Sequence, residues 1–235
     1  MDTVSAITAD DARSPHQVLV VMDFDGTVTT GDCLEVLLQR NVAAWPRLAQ
    51  AARDGGLTEV RAIERALQML RLPRDRVVAE FVAAAELRGN FRGFLEALQS
   101  LAAKSAVVSA GPREGIEAVW RREKLPAVPL CATELRGDAE HGFELDFDQH
   151  FGDCPLCGPD RCKGAVIRSL RHEQDFVVVF GDGGRDLCMA READLVFARS
   201  RLARLCDREA IPARPFEDFT TAGDELAAWL GASQE

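Results

Sequence analysis

Short apolar runs rich in β-branched residues recur along the chain at wide spacing. They span residues 18–22, 105–109, 128–131, 176–180 and 195–197. Each run is short and mostly apolar, which is typical of a strand buried on both faces. Helix-length amphipathic stretches lie between most of them, for example at 113–124 and 164–172. Strands that alternate with helices predict an α/β fold with a doubly wound parallel sheet.

One interval departs from this alternation. Residues 31–92 contain helical patterns such as CLEVLLQRNVAAW and VRAIERALQML, without a convincing strand. We therefore predict a small helical cap at 31–92, inserted after the first strand into a core domain made of 16–30 and 93–235. Residues 1–15 are polar and acidic, lack the pattern of a secretion signal, and are predicted to be a disordered leader. The stretch 133–147 predicts a β-hairpin, because two short extended arms flank a polar turn that contains glycine.

The charge of the chain narrows its range of partners. With 28 basic and 38 acidic residues, the formal net charge is -10. Such a chain is repelled by nucleic acid and by anionic membrane surfaces. Its longest apolar runs are also too short to cross a bilayer. We expect a soluble cytoplasmic protein with neither nucleic acid nor membrane as a partner, and the sequence leaves its oligomeric state open. A small phosphorylated metabolite can still bind where a metal ion and local donors outweigh the global charge.

Polar and acidic motifs follow the predicted strands at the point where each strand ends. DFDGT at 23–27 follows the first strand, SAG at 109–111 the second and GDGGRD at 181–186 the fourth, while Lys163 begins the helix before the fourth strand. Ligands of open α/β sheets bind beyond the carboxyl ends of the strands. We therefore expect these motifs to meet around one cleft.

Carboxylates dominate this set of residues. The acids are Asp23, Asp25, Asp182 and Asp186. Crowded carboxylates repel one another unless a cation lies between them, and Mg²⁺ suits a site built from few carboxylates, waters and phosphate oxygens. Ser109, the amide of Ala110 and the ammonium of Lys163 are candidates to bind the remaining phosphate oxygens. Taken singly, each residue is also typical of a helix cap or a solvated position, but four elements in this order favour a catalytic site.

In this order the motifs resemble those of the haloacid dehalogenase (HAD) superfamily phosphatases, and the match covers nearly the whole chain after residue 17. DFDGT, Ser109, Lys163 and GDGGRD are similar to the four motifs of that family. The helical insert resembles the cap of the phosphoserine phosphatase branch. The stretches DFDGTVTTGD, ADLVFAR and PFEDF, with the Cys-rich segment ending in Cys-Lys, are similar to the methionine-salvage subgroup that acts on 2-hydroxy-3-keto-5-methylthiopentenyl-1-phosphate. That subgroup in turn resembles the phosphoethanolamine and phosphocholine phosphatases.

The resemblance implies roles for the acidic residues. Asp23 would be the nucleophile and a metal ligand, and Asp25 would protonate the leaving alcohol, then activate water and lend its backbone carbonyl to the metal. Asp182 would be the main additional Mg²⁺ ligand, and Asp186 would complete the acidic shell directly or through water. Relatives that perform dehalogenation lack the second acid and need no metal, so Asp25 favours phosphoryl transfer.

Further positions follow from the same resemblance. Ser109 and Lys163 would bind phosphate, and Lys163 would also reduce the repulsion between substrate and nucleophile. Asp32 matches the position of a substrate-reading Glu in the phosphoserine branch, and the shorter acid argues against phosphoserine itself. For Arg185, inside the fourth motif, we favour a solvated helix position over one facing the substrate.

Three cysteines immediately precede Lys163. They are Cys154, Cys157 and Cys162, and a fourth ligand from Cys131, His150 or Asp153 would complete a tetrahedral Zn²⁺ site. The alternatives are free thiols in a turn or a redox-sensitive pair. The other cysteines, Cys33, Cys188 and Cys206, lie in helical patterns and are predicted to be small buried side chains.

The leading hypothesis from sequence is a Mg²⁺-dependent phosphomonoesterase that uses an aspartyl-phosphate intermediate. Phosphoserine and phosphocholine or phosphoethanolamine are the alternative substrates. A catalytically dead zinc-binding interaction module is the alternative of another class. The intact set of Asp23, Asp25, Ser109, Lys163 and GDGGRD argues against it.

Overall fold

A computed structural model of the chain describes residues 18–147, 149–173 and 175–232. The leader predicted at 1–15 lies outside these residues. The strands of the described residues are, in chain order, β1 (Val18–Met22), β2 (Lys104–Pro112), β3 (Leu130–Asp138), β4 (Gly142–Asp146), β5 (Gly152–Cys154), β6 (Gly158–Cys162), β7 (Phe176–Gly181), β8 (Leu195–Ala198) and β9 (Ala213–Pro215).

Helices connect most of these strands. They are α1 (Cys33–Asn41), α2 (Trp45–Arg53), α3 (Glu59–Met69), α4 (Arg74–Ala84), α5 (Phe91–Ser100), α6 (Arg113–Glu123), α7 (Lys163–Leu170), α8 (Leu187–Ala190), α9 (Ser200–Glu209) and α10 (Phe219–Ala232). A short 3-10 turn at Gly184–Asp186 precedes α8.

The main sheet has the strand order β4-β3-β2-β1-β7-β8-β9. Its neighbouring strands are parallel except for β3 and β4, which pair antiparallel. The chain leaves β1 toward β2 on one side and later returns to β7 on the other side. The predicted doubly wound α/β fold is thus confirmed, and its topological switch point lies at β1. In such sheets the ligand crevice forms at the switch point, beyond the carboxyl ends of the strands.

The two faces of β1 explain why this strand is central. Val18, Val20 and Met22 pack into the large apolar cluster on one face of the sheet, whereas Leu19 and Val21 pack against the cluster on the other face. Side chains of a strand alternate between its faces, so an uninterrupted apolar run requires cover on both sides. This burial anchors the residues that follow Met22.

An aromatic cluster supports the adjacent strand β7. The ring of Phe180 stacks on Phe197 with centroids 4.6 Å apart, and it also contacts Phe94, Phe216 and Phe219 at 5.3, 5.4 and 5.4 Å. Packed aromatic pairs of this kind contribute beyond the area that they bury. These contacts fix Phe180 near the end of β7.

The predicted hairpin at 133–147 is present as β3 and β4, with Glu134 opposite Asp146. The short strand β9 and the β5–β6 hairpin were not predicted. Their arms of three to five residues are mostly polar and half-exposed, so they carry little hydrophobic periodicity.

Helices α1 to α4 lie between β1 and β2, in the interval for which a helical cap is predicted. The predicted boundary at 92 falls inside α5. The Arg74 guanidinium at the start of α4 donates to the carbonyl of Leu135 in β3 at 2.6 Å and pairs with Glu114 of α6 at 3.0 Å. The tip of the β3–β4 hairpin contacts α3, since a Cβ on Gly142 would lie 2.2 Å from the carbonyl oxygen of Gln68. These contacts join the inserted helices to the rest of the fold.

Among the described residues, no helix combines the length and the apolar character that a membrane span requires.

Candidate active site

Asp23 follows β1 and Asp182 follows β7, so both acids lie at the switch point. The Asp23 amide donates to the carbonyl of Phe180 in β7, which continues the strand pairing up to the acid itself. Gly26 has φ +75, and a Cβ there would lie 2.5 Å from Oδ2 of Asp182. Glycine is therefore required both for the turn and for the close approach of the two strand ends. The Thr27 hydroxyl then donates to Oδ1 of Asp182 at 3.1 Å.

Lys163 lies between two buried carboxylates. Its Nζ donates to Oδ1 of Asp23 at 2.6 Å and to Oδ1 of Asp186 at 2.7 Å, and all three residues are buried. Burial by itself lowers the pKa of Lys163, but the charges of Asp186 and Asp23 outweigh it, so this pKa lies above its ordinary value. The ammonium is therefore charged and fixed in position.

Asp186 fixes the geometry of the fourth motif. Its Oδ2 accepts hydrogen bonds from the amides of Asp182 at 3.0 Å and Gly183 at 2.9 Å, while its Oδ1 accepts from Lys163. Both oxygens are thus engaged by the protein. This carboxylate couples the position of Lys163 to the backbone that carries Asp182.

Three carboxylates could hold a cation at this point. Oxygen atoms of Asp23, Asp182 and Asp186 lie within 4.8 Å of one another. If all three were ionised, the charge of Lys163 would still leave an excess of two negative charges. Burial and the charge of Asp186 raise the pKa of Asp23 well above its ordinary value and raise the pKa of Asp182 to about 6. A hard divalent cation with oxygen ligands would relieve this repulsion, so the donor set fits Mg²⁺.

Asp25 lies two residues after Asp23 and contacts the start of α1. Its Oδ1 accepts a hydrogen bond from the Cys33 amide at the start of α1, at 2.8 Å. Burial and the negative charge of Asp32 raise the pKa of Asp25 to about 8. An acid with a pKa near neutrality exchanges protons efficiently in both directions.

The end of β2 approaches Asp25 from the other side. Ser109 is buried, and its hydroxyl accepts a hydrogen bond from the Gly111 amide at 2.9 Å. A Cβ at Gly111 would lie 2.9 Å from Oδ2 of Asp25 and 3.2 Å from Oγ of Ser109. Gly111 is therefore needed for Ser109 and Asp25 to lie side by side, and sequence reasoning assigned it no role.

These residues line one cleft of about 280 Å³. Ala110 also lines this cleft. Polar and charged residues from the strand ends form part of its surface. The apolar lining residues are Leu34, Val60, Ile63, Leu67, Leu145 and Phe147. The cleft thus lies between the carboxyl edge of the sheet, the helices α1 and α3, and the end of β4 with Phe147 after it.

Asp32 and Arg185 both line the cleft. Asp32 also caps α1, because its Oδ1 accepts from the Glu35 amide at 2.7 Å. The prediction that Arg185 occupies a solvated helix position, away from the substrate, was wrong. Its guanidinium lies 5.4 Å from the ring centroid of Phe147, and a second cation, Arg161, lies 5.3 Å from the same ring. This cation–π contact holds Arg185 toward the cleft.

Arg88 supports the site without reaching the cleft lining, and sequence reasoning missed it. It is buried, and its guanidinium donates to the carbonyls of Gly26, Thr27 and Thr29 at 2.7, 2.8 and 3.0 Å. It also donates to the carbonyl of Glu217 at 3.1 Å. One side chain thus satisfies the buried carbonyls of the loop that carries Asp25 and Gly26.

The cysteine prediction needs a correction. Among the described residues, the fourth side chain that joins Cys154, Cys157 and Cys162 is Cys188 of α8. The predicted fourth ligands, Cys131, His150 and Asp153, are not part of this group. Cys131 lies in β3 and belongs to the apolar cluster on one face of the sheet. Cys188 had been predicted to be only a small buried side chain, but α8 returns the chain to the β5–β6 hairpin.

Comparison with models of known protein families gives the family of this chain. The model of the haloacid dehalogenase-like hydrolase family matches residues 20–191, which is well over half of the chain. The chain belongs to this family. The family resemblance seen in the sequence is confirmed, and with it the enzyme class of hydrolase. The matched span contains Asp23, Ser109, Lys163 and Asp182, which are described above.

Relatives of this HAD chain carry phosphatase names. A protein of Exiguobacterium sp. named 2-hydroxy-3-keto-5-methylthiopentenyl-1-phosphate phosphatase is 28% identical over 205 residues, which cover 85% of this chain and 93% of that protein. A Bacillus cereus protein of the same name is 27% identical and covers 91% of this chain and 98% of its own length.

Solved structures share the fold at lower identity. A substrate-bound phosphoserine phosphatase superposes with a TM-score of 0.66 at 16% identity and covers 87% of this chain and 95% of that one. A cytosolic 5'-nucleotidase bound to cytidine superposes with a TM-score of 0.57 at 15% identity, covering 94% and 87%. These likenesses show the fold.

Proposed function

We propose that this HAD hydrolase is a Mg²⁺-dependent phosphomonoesterase that forms an aspartyl-phosphate on Asp23. One observation carries the proposal. The Lys163 ammonium lies 2.6 Å from Asp23 and 2.7 Å from Asp186, on the cleft that Ser109, Asp25 and Asp182 also line. A nucleophile, an acid/base and phosphate-binding donors thus share one cavity at the switch point of the sheet.

The carboxylates of Asp23 and Asp182 and the backbone carbonyl of Asp25 would hold the Mg²⁺. When bound, the ion neutralises charge that develops on the transferred phosphoryl group and orients the phosphate. Asp186 has a different role in this proposal, because hydrogen bonds from Lys163 and two amides engage both of its oxygens. It positions Lys163 and the backbone of Asp182.

In the first half-reaction, the Ser109 hydroxyl, the Ala110 amide and the Lys163 ammonium hold the phosphate oxygens. A carboxylate oxygen of Asp23 attacks phosphorus while the bond from phosphorus to the leaving oxygen breaks. Asp25 gives its proton to the departing oxygen, which leaves as an alcohol. The raised pKa of Asp25, about 8, keeps it protonated near neutral pH for this step.

In the second half-reaction, Asp25 acts as a base. Its carboxylate takes a proton from a water molecule, and the water oxygen attacks phosphorus. The bond between phosphorus and the Asp23 oxygen breaks, which releases inorganic phosphate and regenerates the Asp23 carboxylate. Asp25 returns to its protonated form, so one residue serves both steps.

Residues 31–92 act in this proposal as the cap over the cleft. Leu34 of α1 and Val60, Ile63 and Leu67 of α3 line the side opposite the strand ends. Apolar cover of this kind excludes bulk water from the phosphoenzyme. The remainder of the described chain, 93–232, supplies the core with β1.

The substrate in this proposal carries an apolar tail. The apolar residues of α3, together with Leu145 and Phe147, offer a hydrophobic surface at a short distance from the charged strand ends. The phosphate-bearing end would meet Lys163 and Ser109, and a thioether tail would pack on the apolar surface. We therefore take 2-hydroxy-3-keto-5-methylthiopentenyl-1-phosphate, the substrate in the names of the relatives, as the first candidate.

A substrate panel tests this proposal. The purified enzyme is assayed for phosphate release from the methylthiopentenyl ester, phosphoserine, phosphocholine, phosphoethanolamine and p-nitrophenyl phosphate, with Mg²⁺, with EDTA, and after Mg²⁺ is restored. We expect Mg²⁺-dependent release with the highest kcat/KM for the methylthiopentenyl ester. A preference for phosphoserine or phosphocholine would replace the substrate and keep the chemistry. No Mg²⁺-dependent release from any ester would favour the catalytically dead module.

A further inference from the structure

Four thiols from two separate stretches of the chain converge beside α7. Three come from the β5–β6 hairpin and one from α8; they are Cys154, Cys157, Cys162 and Cys188. The Sγ atom of Cys188 lies 3.6 Å from that of Cys154 and 3.5 Å from that of Cys157. All four sulfurs lie within 4.8 Å of one another.

These separations match those of a tetrahedral metal site. Four sulfurs bound to zinc at about 2.3 Å lie about 3.8 Å from one another, whereas a disulfide brings two sulfurs to about 2.05 Å. We propose that Cys154, Cys157, Cys162 and Cys188 bind one Zn²⁺ in a closed tetrathiolate site. This inference does not depend on the proposed phosphatase activity.

Backbone amides favour the ionised form of two of the four thiols. The amides of Leu156 and Cys157 electrostatically favour the thiolate of Cys154, and the amides of Ala165 and Gly164 favour that of Cys162. Amide donors stabilise thiolates and orient them as metal ligands. Gly158, directly after Cys157, has φ +84, a conformation that lets the chain turn sharply behind the ligand.

The charges around the cluster also suit a metal thiolate site. Four thiolates and one Zn²⁺ keep an excess of two negative charges. Arg185 acts electrostatically on Cys157, Arg168 on Cys162 and Arg191 on Cys188. Three guanidinium groups thus act on this electronegative site, and two of them, Arg168 and Arg191, also pair with Glu192 and Glu209.

A zinc ion here would brace the catalytic lysine. The β5–β6 hairpin has short arms and an exposed turn, with Leu156 61% exposed, so it has little apolar core of its own. Small hairpins of this kind need a further tie. Cys162 directly precedes Lys163, and Cys188 lies two residues after Asp186. The ion would therefore fix the segment that carries Lys163 and the segment that carries Asp186, and with them the contact between these two residues. Because all four ligands are protein thiolates, the site is structural.

Metal analysis tests the proposal. The full-length protein is expressed with added zinc, purified under reducing conditions without chelator, and measured by inductively coupled plasma mass spectrometry. We expect one zinc per chain, and loss of that zinc in Cys188→Ser and in the double variant with Cys154→Ser. The matched control is Cys206→Ala, which removes a buried thiol of α9 and should retain the metal.

Cobalt gives a readout that needs no variant. Wild-type protein stripped of metal and titrated with Co²⁺ should show thiolate-to-cobalt charge-transfer absorption and the intense visible bands of a tetrahedral site, saturating at one equivalent. Zinc added afterwards should abolish these bands. The proposal is overturned if the wild-type protein binds neither metal at one equivalent, or if the double variant retains its zinc. It is also overturned if mass spectrometry finds Cys188 in a disulfide with Cys154 or Cys157.

Discussion

Two clusters of candidate metal ligands lie close to Lys163, and they differ in chemistry and in access. The acidic cluster, Asp23, Asp182 and Asp186, offers hard oxygen donors on the wall of the cleft. The cysteine cluster, Cys154, Cys157, Cys162 and Cys188, offers four soft sulfurs. The first leaves room for water and a substrate phosphate, whereas the second supplies a complete tetrahedral set.

This difference predicts different consequences of disrupting each cluster. Oxygen donors beside an open cavity suit an ion that exchanges ligands during a reaction. Four thiolates suit an ion that stays in place and stabilises the fold. Substitutions in the acidic cluster should therefore reduce turnover and spare stability. Substitutions in the cysteine cluster should mainly reduce stability, with a much smaller loss of turnover. The predictions below, in order of expected effect, test this contrast.

Asp23→Asn should give the largest loss of activity. Removal of the proposed nucleophile should lower kcat by on the order of 10⁴-fold or more. The melting temperature should not fall, because the substitution also removes repulsion with Asp186 and Asp182. Steady-state phosphate release and thermal unfolding measure the two effects. Asp146→Asn, on the exposed hairpin, is the control, and substantial Mg²⁺-dependent turnover in Asp23→Asn would contradict the assignment.

Asp25→Asn should slow both half-reactions by about 10³-fold, the range expected for loss of a general acid/base. The loss of kcat/KM, which reports the first half-reaction, should be smaller for p-nitrophenyl phosphate, whose leaving group needs little protonation. Comparing kcat/KM for this ester with kcat/KM for an alkyl ester measures the proton donation directly, because the second half-reaction is common to both. An equal loss of kcat/KM with both esters would indicate that Asp25 only shapes the site.

Arg88→Met should lower kcat by about 10²-fold, because the carbonyls of Gly26, Thr27 and Thr29 lose their shared donor and the loop of the acidic cluster shifts. It should also destabilise the fold. Arg122→Met is the matched control, since Arg122 binds the carbonyls of Val82 and Ala85 at 2.5 and 2.6 Å, away from the strand ends. Equal losses of kcat in the two variants would show that Arg88 has no special effect on the site.

Cys188→Ser should lower kcat by about 10-fold, through the position of Lys163, and should lower the melting temperature more than Asp23→Asn does. The measurement pairs kcat with thermal unfolding in the same Mg²⁺ buffer. Cys206→Ala again serves as the control. A melting temperature equal to that of the wild type would remove the contrast between the two clusters.

Asp175→Asn should leave turnover unchanged, because its ion pair with Lys104 lies outside both clusters. Burial raises the pKa of Asp175, but hydrogen bonds from the His172 amide and Lys104 outweigh this and lower it below its ordinary value. The carboxylate therefore stabilises the fold by about 1–2 kcal/mol above its unfolded pKa. The difference in unfolding free energy between wild type and Asp175→Asn should disappear as pH falls through the lowered pKa of Asp175 in the folded protein. Denaturant unfolding across this acidic range measures it, and a constant difference would contradict the assignment.

The sequence predicts the acidic site better than the parts that support it. Asp23, Ser109 and Asp182 could be placed together because the carboxyl ends of neighbouring parallel strands meet at one edge of the sheet. Lys163 could be added because it begins the helix that leads into β7. In each case the predicted strands are enough to predict where the residue lies.

The supporting contacts follow no such pattern. Arg88 lies 61 residues from Thr27 and binds backbone carbonyls. Every residue has such a carbonyl, so the sequence does not show which ones Arg88 binds. Arg185 faces the cleft because it packs on Phe147 from a distant segment. Cys188 joins the other thiols because α8 returns to the hairpin, and the apolar stretch around it indicated only burial. The two short strands of the hairpin are likewise fixed by tertiary contacts and not by periodicity.

Trapping the phosphoenzyme tests the central claim most directly. The enzyme is mixed with substrate and Mg²⁺, quenched during turnover, treated with borohydride and analysed by peptide mass spectrometry. Borohydride reduces an acyl phosphate to an alcohol, so we predict homoserine at position 23 and unmodified Asp25. Reduction at any other carboxylate, or phosphate release with no reducible intermediate under conditions that preserve acyl phosphates, would contradict the assignment of Asp23 as the nucleophile.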